Sequence, residues 1–410
     1  MLRWILVCLL SVGVIIGYVD RTNLSIALAS PDFKAWFHLT DSGRGLLNSA
    51  FFWSYALLQV PAGYLVDRFG VKRPLAIALF FWCLVSAATA WASLLWQLVA
   101  LRLLLGVCES VIFPGGLRWI RHHIGENQRG LASGVFVAGT KWGPAIAAPL
   151  AAWLLQNHGW RNMFWVMGIG GLVWLVPWLM LARDDDRDLE RAEAASSSAP
   201  PLPFSSLFRT RAMWGTLIGT FCYNYFLFYS LTWLPAYFVE QRHMSLDKMG
   251  VYTMFSFGGT AVVAILAGLA ADILIVRGAD AAATRKWFTI AGLVVASTEV
   301  FGALSNSTST AVFFAILSMS GLGLATANYW ALTYTLMPGF AAGRIAGVQN
   351  TALNLAGIIA PILTGWLKQV TGSYTVPMQA IWAVLVIGIF AYVILARKSV
   401  GQPAAAMAGV

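Results

Sequence analysis

Charge is what this sequence most lacks. Only 11% of its 410 residues are Asp, Glu, Lys or Arg, while 59% are hydrophobic; ordinary soluble domains carry about 25% charged residues. That deficit excludes a water-soluble globular chain. Cysteine is nearly missing too. The four copies, Cys8, Cys83, Cys108 and Cys222, all fall within apolar stretches. They read as small hydrophobes, with neither a disulfide framework nor metal-ligand spacing. The histidines (His38, His122, His123, His158, His243) lie at the ends of those stretches or in loops. No metal cluster and no nucleophile–base grouping is visible, so a membrane enzyme or receptor finds little support, and no cofactor or bound metal is expected.

What the chain has in quantity is long apolar segments. Twelve of them lie at about 3–29, 44–66, 74–94, 96–118, 130–156, 161–182, 212–238, 249–275, 286–305, 310–337, 343–367 and 375–396. Each is long enough to cross a ~30 Å hydrocarbon core. The net charge of +10 suggests nucleic acid until the 27 basic residues are sorted by loop. With the N-terminus inside, 18 fall on the cytoplasmic side, six on the outer side (Lys34, Arg44, Arg161, Arg242, Lys248, Lys368) and three inside spans. This bias sets topology rather than a partner. No nucleic-acid partner is expected, and both termini are expected in the cytoplasm of a bacterial inner membrane. Arg3 and Ala27-Leu28-Ala29 could mimic a cleaved leader, but Asp20-Arg21 interrupts that long run.

One connection is long. Residues 183–211 begin Arg183-Asp-Asp-Asp-Arg-Asp, continue through Ser, Ala and Pro, and reach Pro200-Pro201-Leu202-Pro203. A linker of this composition buries little apolar area. It divides the chain into a six-helix bundle at 1–182 and a second at 212–410. A repeated pattern agrees with that division. Gly63-Tyr-Leu-Val-Asp67-Arg68-Phe-Gly70-Val-Lys72-Arg73 has a worn copy in Gly268-Leu-Ala-Ala-Asp272 followed by Arg277-Gly278 and Arg285-Lys286, 205 residues on. The expected fold is an all-α membrane protein of two pseudo-symmetric six-helix bundles. Such repeats belong to transporters whose halves rock about a central site.

Ionisable groups inside spans are costly and mark function by default. Asp20, Arg21, Arg102, Glu109 and Lys141 all lie in the first half. At about 1.5 Å rise per residue, Asp20 and Arg102 sit at similar depth and Glu109 nearer mid-membrane. The expectation is an outer Asp20–Arg102 pair and a central Glu109, with Arg21 reaching between. Three cations against at most two anions suggest an anionic ligand. A buried carboxylate suits a proton carrier. Glu299, near the outer end of span 9, reads as an interfacial residue. The second half offers neutral chemistry: Tyr223, Asn224, Tyr225 and Tyr229 in span 7, Asn328, Trp330 and Tyr334 in span 10, Asn350 and Asn354 in span 11. With Tyr55 and Gln59 in span 2, these hydroxyls, amides and aromatic edges suit a polar ligand. Gly139, Gly143, Pro144 and Pro149 in span 5, and Phe113-Pro114-Gly115-Gly116 after Glu109, allow bending or close packing.

The stretch from Gly63 to Arg73 resembles the loop 2–3 signature of the major facilitator superfamily. A narrower resemblance rests on Tyr18-Val-Asp20-Arg21-Thr-Asn23, Arg102-Leu-Leu-Leu-Gly106-Val-Cys-Glu109 through Phe113-Pro114, Gly139–Pro144 and Trp160-Arg161. These look like the anion:cation symporters, which include bacterial sugar-acid/proton symporters and sialic-acid carriers. The resemblance implies that Arg21 binds a substrate carboxylate, that Asp20 and Glu109 are protonation sites, and that Arg102 is coupled to them. It places Tyr18, Tyr55, Trp330 and Asn350 at sugar-acid hydroxyls. Thr140 stands where galactonate-type members carry glutamine, which puts galactonate in doubt. Lys141 and Asn354 join the substrate set. Asp67 and Arg73 resemble a charge clamp on the cytoplasmic side, with Asp272 as its second-half counterpart. The reading is a functional monomer importing an organic anion (a sugar acid or other monocarboxylate) with protons by alternating access. Efflux by antiport is the alternative, since Gly139–Pro144 partly resembles an antiporter motif that lacks its following glycine pair here.

Overall fold

In the computed structural model the residues described are 2–183, 208, 210–337 and 342–396, and no strand occurs among them. The first half holds α1 (Leu2–Ala29), α2 (Asp41–Phe69), α3 (Lys72–Trp91) and α4 (Leu95–His123). A continuous run Glu126–Gly170 is two helices joined at Gly159, whose φ of +77° only glycine adopts at no steric cost. The part before Gly159 is α5; the part after it, continuing to Leu181, is α6. The second half holds α7 (Arg211–Ala236), α8 (Leu246–Val276), α9 (Ala281–Leu304), α10 (Thr308–Leu336), α11 (Ala342–Thr371) and α12 (Thr375–Leu395). The expected linker 183–211 lies outside the described residues except at Arg183, Phe208, Thr210 and Arg211.

By length and composition, nine stretches among the described residues could cross a membrane, one of them containing both α5 and α6. The remaining two helices, α2 and α7, fall short because of their polar and aromatic content: Asn48, Ser49, Tyr55 and Gln59 in one, Tyr223, Asn224, Tyr225 and Tyr229 in the other.

Within the first half α1 packs on α5 and α2 on α4; within the second, α8 and α9 pack on α10. Between the halves, α2 meets α11, α5 meets α8 and α1 meets α7. The α2–α11 seam is tight at one end, which carries the loop after α1, Gly159 and the loop after α11. A Cβ on Gly45 would lie 2.5 Å from the Pro361 carbonyl oxygen, and one on Gly357 would lie 2.5 Å from the Phe52 ring. About five turns along the Gly45 face, Gly63 meets no atom within 4 Å. The α5–α8 seam behaves alike: Gly250 would meet Ala152 at 2.9 Å, whereas Gly258 would reach Ala145 only at 4.0 Å. The halves are therefore sealed at this end and diverge toward the end where α1 begins and α12 finishes.

Candidate functional site

Three residues of α1 set up the centre of the molecule. Tyr18, Asp20 and Arg21 are all buried. The Arg21 guanidinium donates to Glu109 of α4 through Nε at 2.9 Å and pairs through a terminal nitrogen at 2.8 Å. Glu109 is the last residue of the helical segment Leu95–Glu109; the chain turns there and resumes at Ile112. Gly17 leaves space for the carboxylate, since a Cβ would lie 3.2 Å from Glu109 Oε2. Arg21 is also enclosed by aromatic rings: Phe51 at 4.4 Å, Tyr18 at 4.5 Å and Tyr55 at 4.9 Å from its central carbon. Flat aromatic faces hold a guanidinium without neutralising it. Glu109 Oε1 has no hydrogen-bond partner among the described residues.

Asp20 and Arg102 are close, but not as a carboxylate–guanidinium pair. Arg102 donates to the Asp20 main-chain carbonyl at 3.2 Å and to Asn23 Oδ1 at 3.5 Å. The Asp20 carboxylate instead accepts from Ser86 of α3 at 2.5 Å and from Asn23 at 3.4 Å, and its second oxygen has no partner among the described residues. Helical depth was readable from sequence; which face of α1 the carboxylate takes was not. Arg21, rather than Arg102, holds the ion pair.

Lys141 and Thr140 of α5 are buried at 5% and 7% exposure. Lys141 Nζ lies 5.8 Å from the ring centroid of Tyr223 on α7, so it points across to the second half. Gly139 and Gly143 are the close-packing points of α5 on α1: a Cβ would meet the Ser11 carbonyl at 2.7 Å and the Tyr18 Cβ at 2.5 Å, respectively.

The second half contributes neutral groups. Tyr223 stacks on Tyr329 at 4.4 Å and shares a hydrogen bond with Thr326 at 2.7 Å. Trp330 is half-buried and stacks on Tyr334 at 6.1 Å. Asn350 is half-buried, and its main-chain oxygen accepts from Asn354 at 2.9 Å. Gln349, which the sequence reading passed over, is the fully buried neighbour; it donates to Thr220 at 2.9 Å. Asn224, Asn328 and Asn354 donate the amide nitrogen to a carbonyl one turn back and Gln349 donates to the Thr220 hydroxyl, and all four side-chain oxygens are without a partner among the described residues. Glu299 is buried rather than interfacial, and accepts from Ser318 at 2.5 Å.

The diverging end carries the residues expected to form the charge clamp. Asp67 accepts from Arg118, which α4 brings alongside the end of α2. Asp272 accepts from Arg285 at 3.0 Å in the second half. At the sealed end lies a cluster that sorting charges by loop had left as topology signals. Glu240, just beyond α7, accepts from Lys34 at 2.6 Å and Lys368 at 2.6 Å, and pairs with Arg44 at 2.9 Å. Asp41 takes Arg44 at 2.7 Å and Lys368 at 2.8 Å, and Tyr374 donates to Glu240 at 2.7 Å. Burial would raise the Glu240 carboxyl, but Arg44, Lys34 and Lys368 outweigh it and hold it at about 2.

Residues 10–361 match the family model for the Major Facilitator Superfamily. The chain belongs to that superfamily. Its members are transporters, so the protein is a multi-pass membrane transporter and not an enzyme. The probable galactarate/D-glucarate transporter GudP of Bacillus subtilis (strain 168) is 30% identical, over 96% of this chain and 91% of its own. The D-galactonate transporter of Escherichia coli O6:H1 is also 30% identical, over 96% of this chain and 95% of its own. Among solved structures, a bacterial homolog of the human lysosomal transporter Spinster, in an inward-facing and occupied conformation, superposes with a TM-score of 0.79 over 97% of both chains at 15% identity. That likeness carries the superfamily fold.

Proposed function

We propose that this transporter imports an organic anion, a sugar acid, together with protons. The carrying observation is the buried Arg21–Glu109 pair, whose Glu109 Oε1 has no partner. A buried carboxylate half satisfied by hydrogen bonds is an expensive anion. Protonation of Glu109 relieves that cost and releases Arg21 from its counter-ion. Arg21, already framed by Tyr18, Phe51 and Tyr55, then offers a bidentate fork to a substrate carboxylate. Asp20, with its own unpartnered oxygen, is the second proton site, and Arg102 holds the α1 backbone beside it. The unpaired amide oxygens of α7, α10 and α11 accept from substrate hydroxyls. The GudP and galactonate relatives support a sugar acid as cargo.

The diverging end carries the termini and, by the excess of basic residues there, faces the cytoplasm of a bacterial inner membrane. The conformation is then inward-open. Proton stoichiometry decides whether the membrane potential helps, since each net charge crossing 100 mV is worth about 2.3 kcal/mol. Two acids permit two protons. The transporter works as a monomer, one site between two halves. Purified protein in proteoliposomes tests the reading. An inwardly directed pH gradient accumulates labelled sugar acid if it holds; uptake indifferent to the gradient sinks it.

A further inference from the structure

The sealed end holds more positive charge than its acids match. Glu240 meets Lys34, Arg44 and Lys368 at 2.6, 2.9 and 2.6 Å, and Asp41 meets Arg44 at 2.7 Å and Lys368 at 2.8 Å. Among the described residues no further acid pairs with these three cations, so the cluster keeps one positive charge in excess. On the orientation proposed above this is the outer face, where basic residues are disfavoured. Two acids match two of the cations and leave the third without a counter-ion of its own. The same residues surround a cavity of about 580 Å³, open to solvent and lined by Lys34, His38, Thr40, Asp41, Arg44 and Lys368 among others. Asp41 is the single acid among the described residues of that wall. Main-chain donors at the start of α2 are taken: Ser42 N–H goes to Gln369 at 2.9 Å and Gly43 N–H to Thr40 at 3.1 Å. Side-chain donors remain. Arg44 is 2% exposed, and its Nε has no partner among the described residues. Lys34 uses one ammonium proton, on Glu240.

We infer that this cavity is a second anion site, taking one small anion, a carboxylate or a halide, between Lys34, Arg44 and Lys368. It is separate from the Arg21 site and does not depend on what that site takes. The three cations converge: Lys34 and Arg44 share one Glu240 oxygen, and Lys368 takes the other. Aromatic faces back two of them without neutralising them, Trp233 at 4.7 Å from the Arg44 guanidinium and Tyr374 at 4.8 Å from Lys368. One negative charge cancels the excess; a second would make the cluster negative. An anion held there shares Lys34 and Lys368 with Glu240 and Asp41, the acids that tie the two halves together. Its arrival therefore weakens the seal on which it rests. The acid group of an arriving cargo and an inorganic anion of the medium have this chemistry in common.

The test uses the full-length purified transporter with a bimane fluorophore on Thr371→Cys, an exposed position two residues past Gln369 of the cavity wall. Cys8 and Cys108, the two cysteines that are not buried, are replaced by alanine. Sodium galactonate and sodium chloride are the probes. The fluorescence should saturate with at least one of them. Saturation by galactonate alone makes the ligand a cargo's acid group; saturation by chloride makes it an inorganic anion. Lys34→Gln should weaken the response about tenfold, the worth of one charge-assisted hydrogen bond. Lys34→Arg should keep it. Glu240→Gln should strengthen it by a similar factor, because it frees two ammonium groups and raises the excess charge. Opposite shifts separate a ligand site from a structural ion cluster, in which loss of either partner would weaken the response. A signal that arises at the central site would survive both substitutions. No saturable response to either anion, or affinities left unchanged by Lys34→Gln and Glu240→Gln, overturns the inference.

Discussion

On one side of the central site, Arg21 meets Glu109 at 2.8 Å, Asp20 accepts from Ser86 and buried Lys141 faces the Tyr223 ring. On the other, Tyr223 stacks on Tyr329, and Asn224, Asn328, Gln349 and Asn354 have buried amide oxygens without a partner among the described residues. At the site the first half presents ionisable side chains and the second presents amides and tyrosines; the buried carboxyl of the second half, Glu299, is bound to Ser318. Two copies of one helical plan have thus divided the work. On the proposed function, protons and the cargo's acid belong to α1, α4 and α5, and recognition of its hydroxyls to α7, α10 and α11. Under that proposal, a neutral surface opposite a titrating one lets protonation alter the grip on the cargo's acid without disturbing the grip on its hydroxyls.

The sharpest way to break this division is at its ionic side. Arg21→Ala removes the anion receptor and strands Glu109, and losing one partner of a buried pair costs about 3–5 kcal/mol. Sugar-acid binding should fall below detection in a thermal-shift titration. Binding retained at wild-type affinity would move the receptor elsewhere. Glu109→Gln should be more selective. The amide still accepts from Arg21 but carries no proton, so gradient-driven accumulation should vanish while exchange of labelled for unlabelled substrate continues. Accumulation at the wild-type level would remove Glu109 from the proton path.

The neutral side should give smaller and differently patterned losses. Gln349→Leu deletes one hydroxyl acceptor worth about 1–1.5 kcal/mol, or about tenfold in affinity. The loss should appear for a polyhydroxy acid and disappear for a deoxy acid of the same length. An equal loss for both would mean that Gln349 supports packing through Thr220 rather than reading the cargo.

Much of this was legible in the chain because membranes make burial expensive. Twelve apolar spans, the repeat around Gly63 and Gly268, and five ionisable groups in the first half follow from composition and spacing. Depth could be counted along a helix; rotation about it could not. That is why the Asp20–Arg102 pair became a main-chain contact while Arg21 took Glu109, and why Asn350 was singled out when Gln349, one residue and about 100° away, is the buried amide. The Asp67–Arg118 contact was hidden for a related reason: a motif shows sequence neighbours, not helix ends brought together by packing. The sealed-end cluster was hidden in plain view. Lys34, Arg44 and Lys368 lie on the side where basic residues are disfavoured, and that anomaly was the signal that they have acidic partners.

That cluster supplies the mildest prediction and the control for all the others. Glu240 joins Lys34 and Arg44 of the first half to Lys368 of the second, so it closes the end opposite the opening. The three cations hold its carboxyl at about 2, below the ordinary 4.5. A depressed pKa gives stabilisation that is complete above the unfolded value and is lost only as pH falls from 4.5 toward about 2. The seal should therefore be unchanged between about pH 5 and pH 8, the range in which buried membrane acids titrate and drive transport. Spin labels at His38 and Thr371, both exposed at this end, should report one closed distance across that range in wild type. Glu240→Gln should add a longer-distance population and speed exchange by no more than a few-fold, because Asp41 still holds Arg44 and Lys368. A distance that shifts near neutral pH in a protein lacking both Glu109 and Asp20 carboxylates would place proton sensing at the seal and dissolve the contrast between the charged and neutral halves.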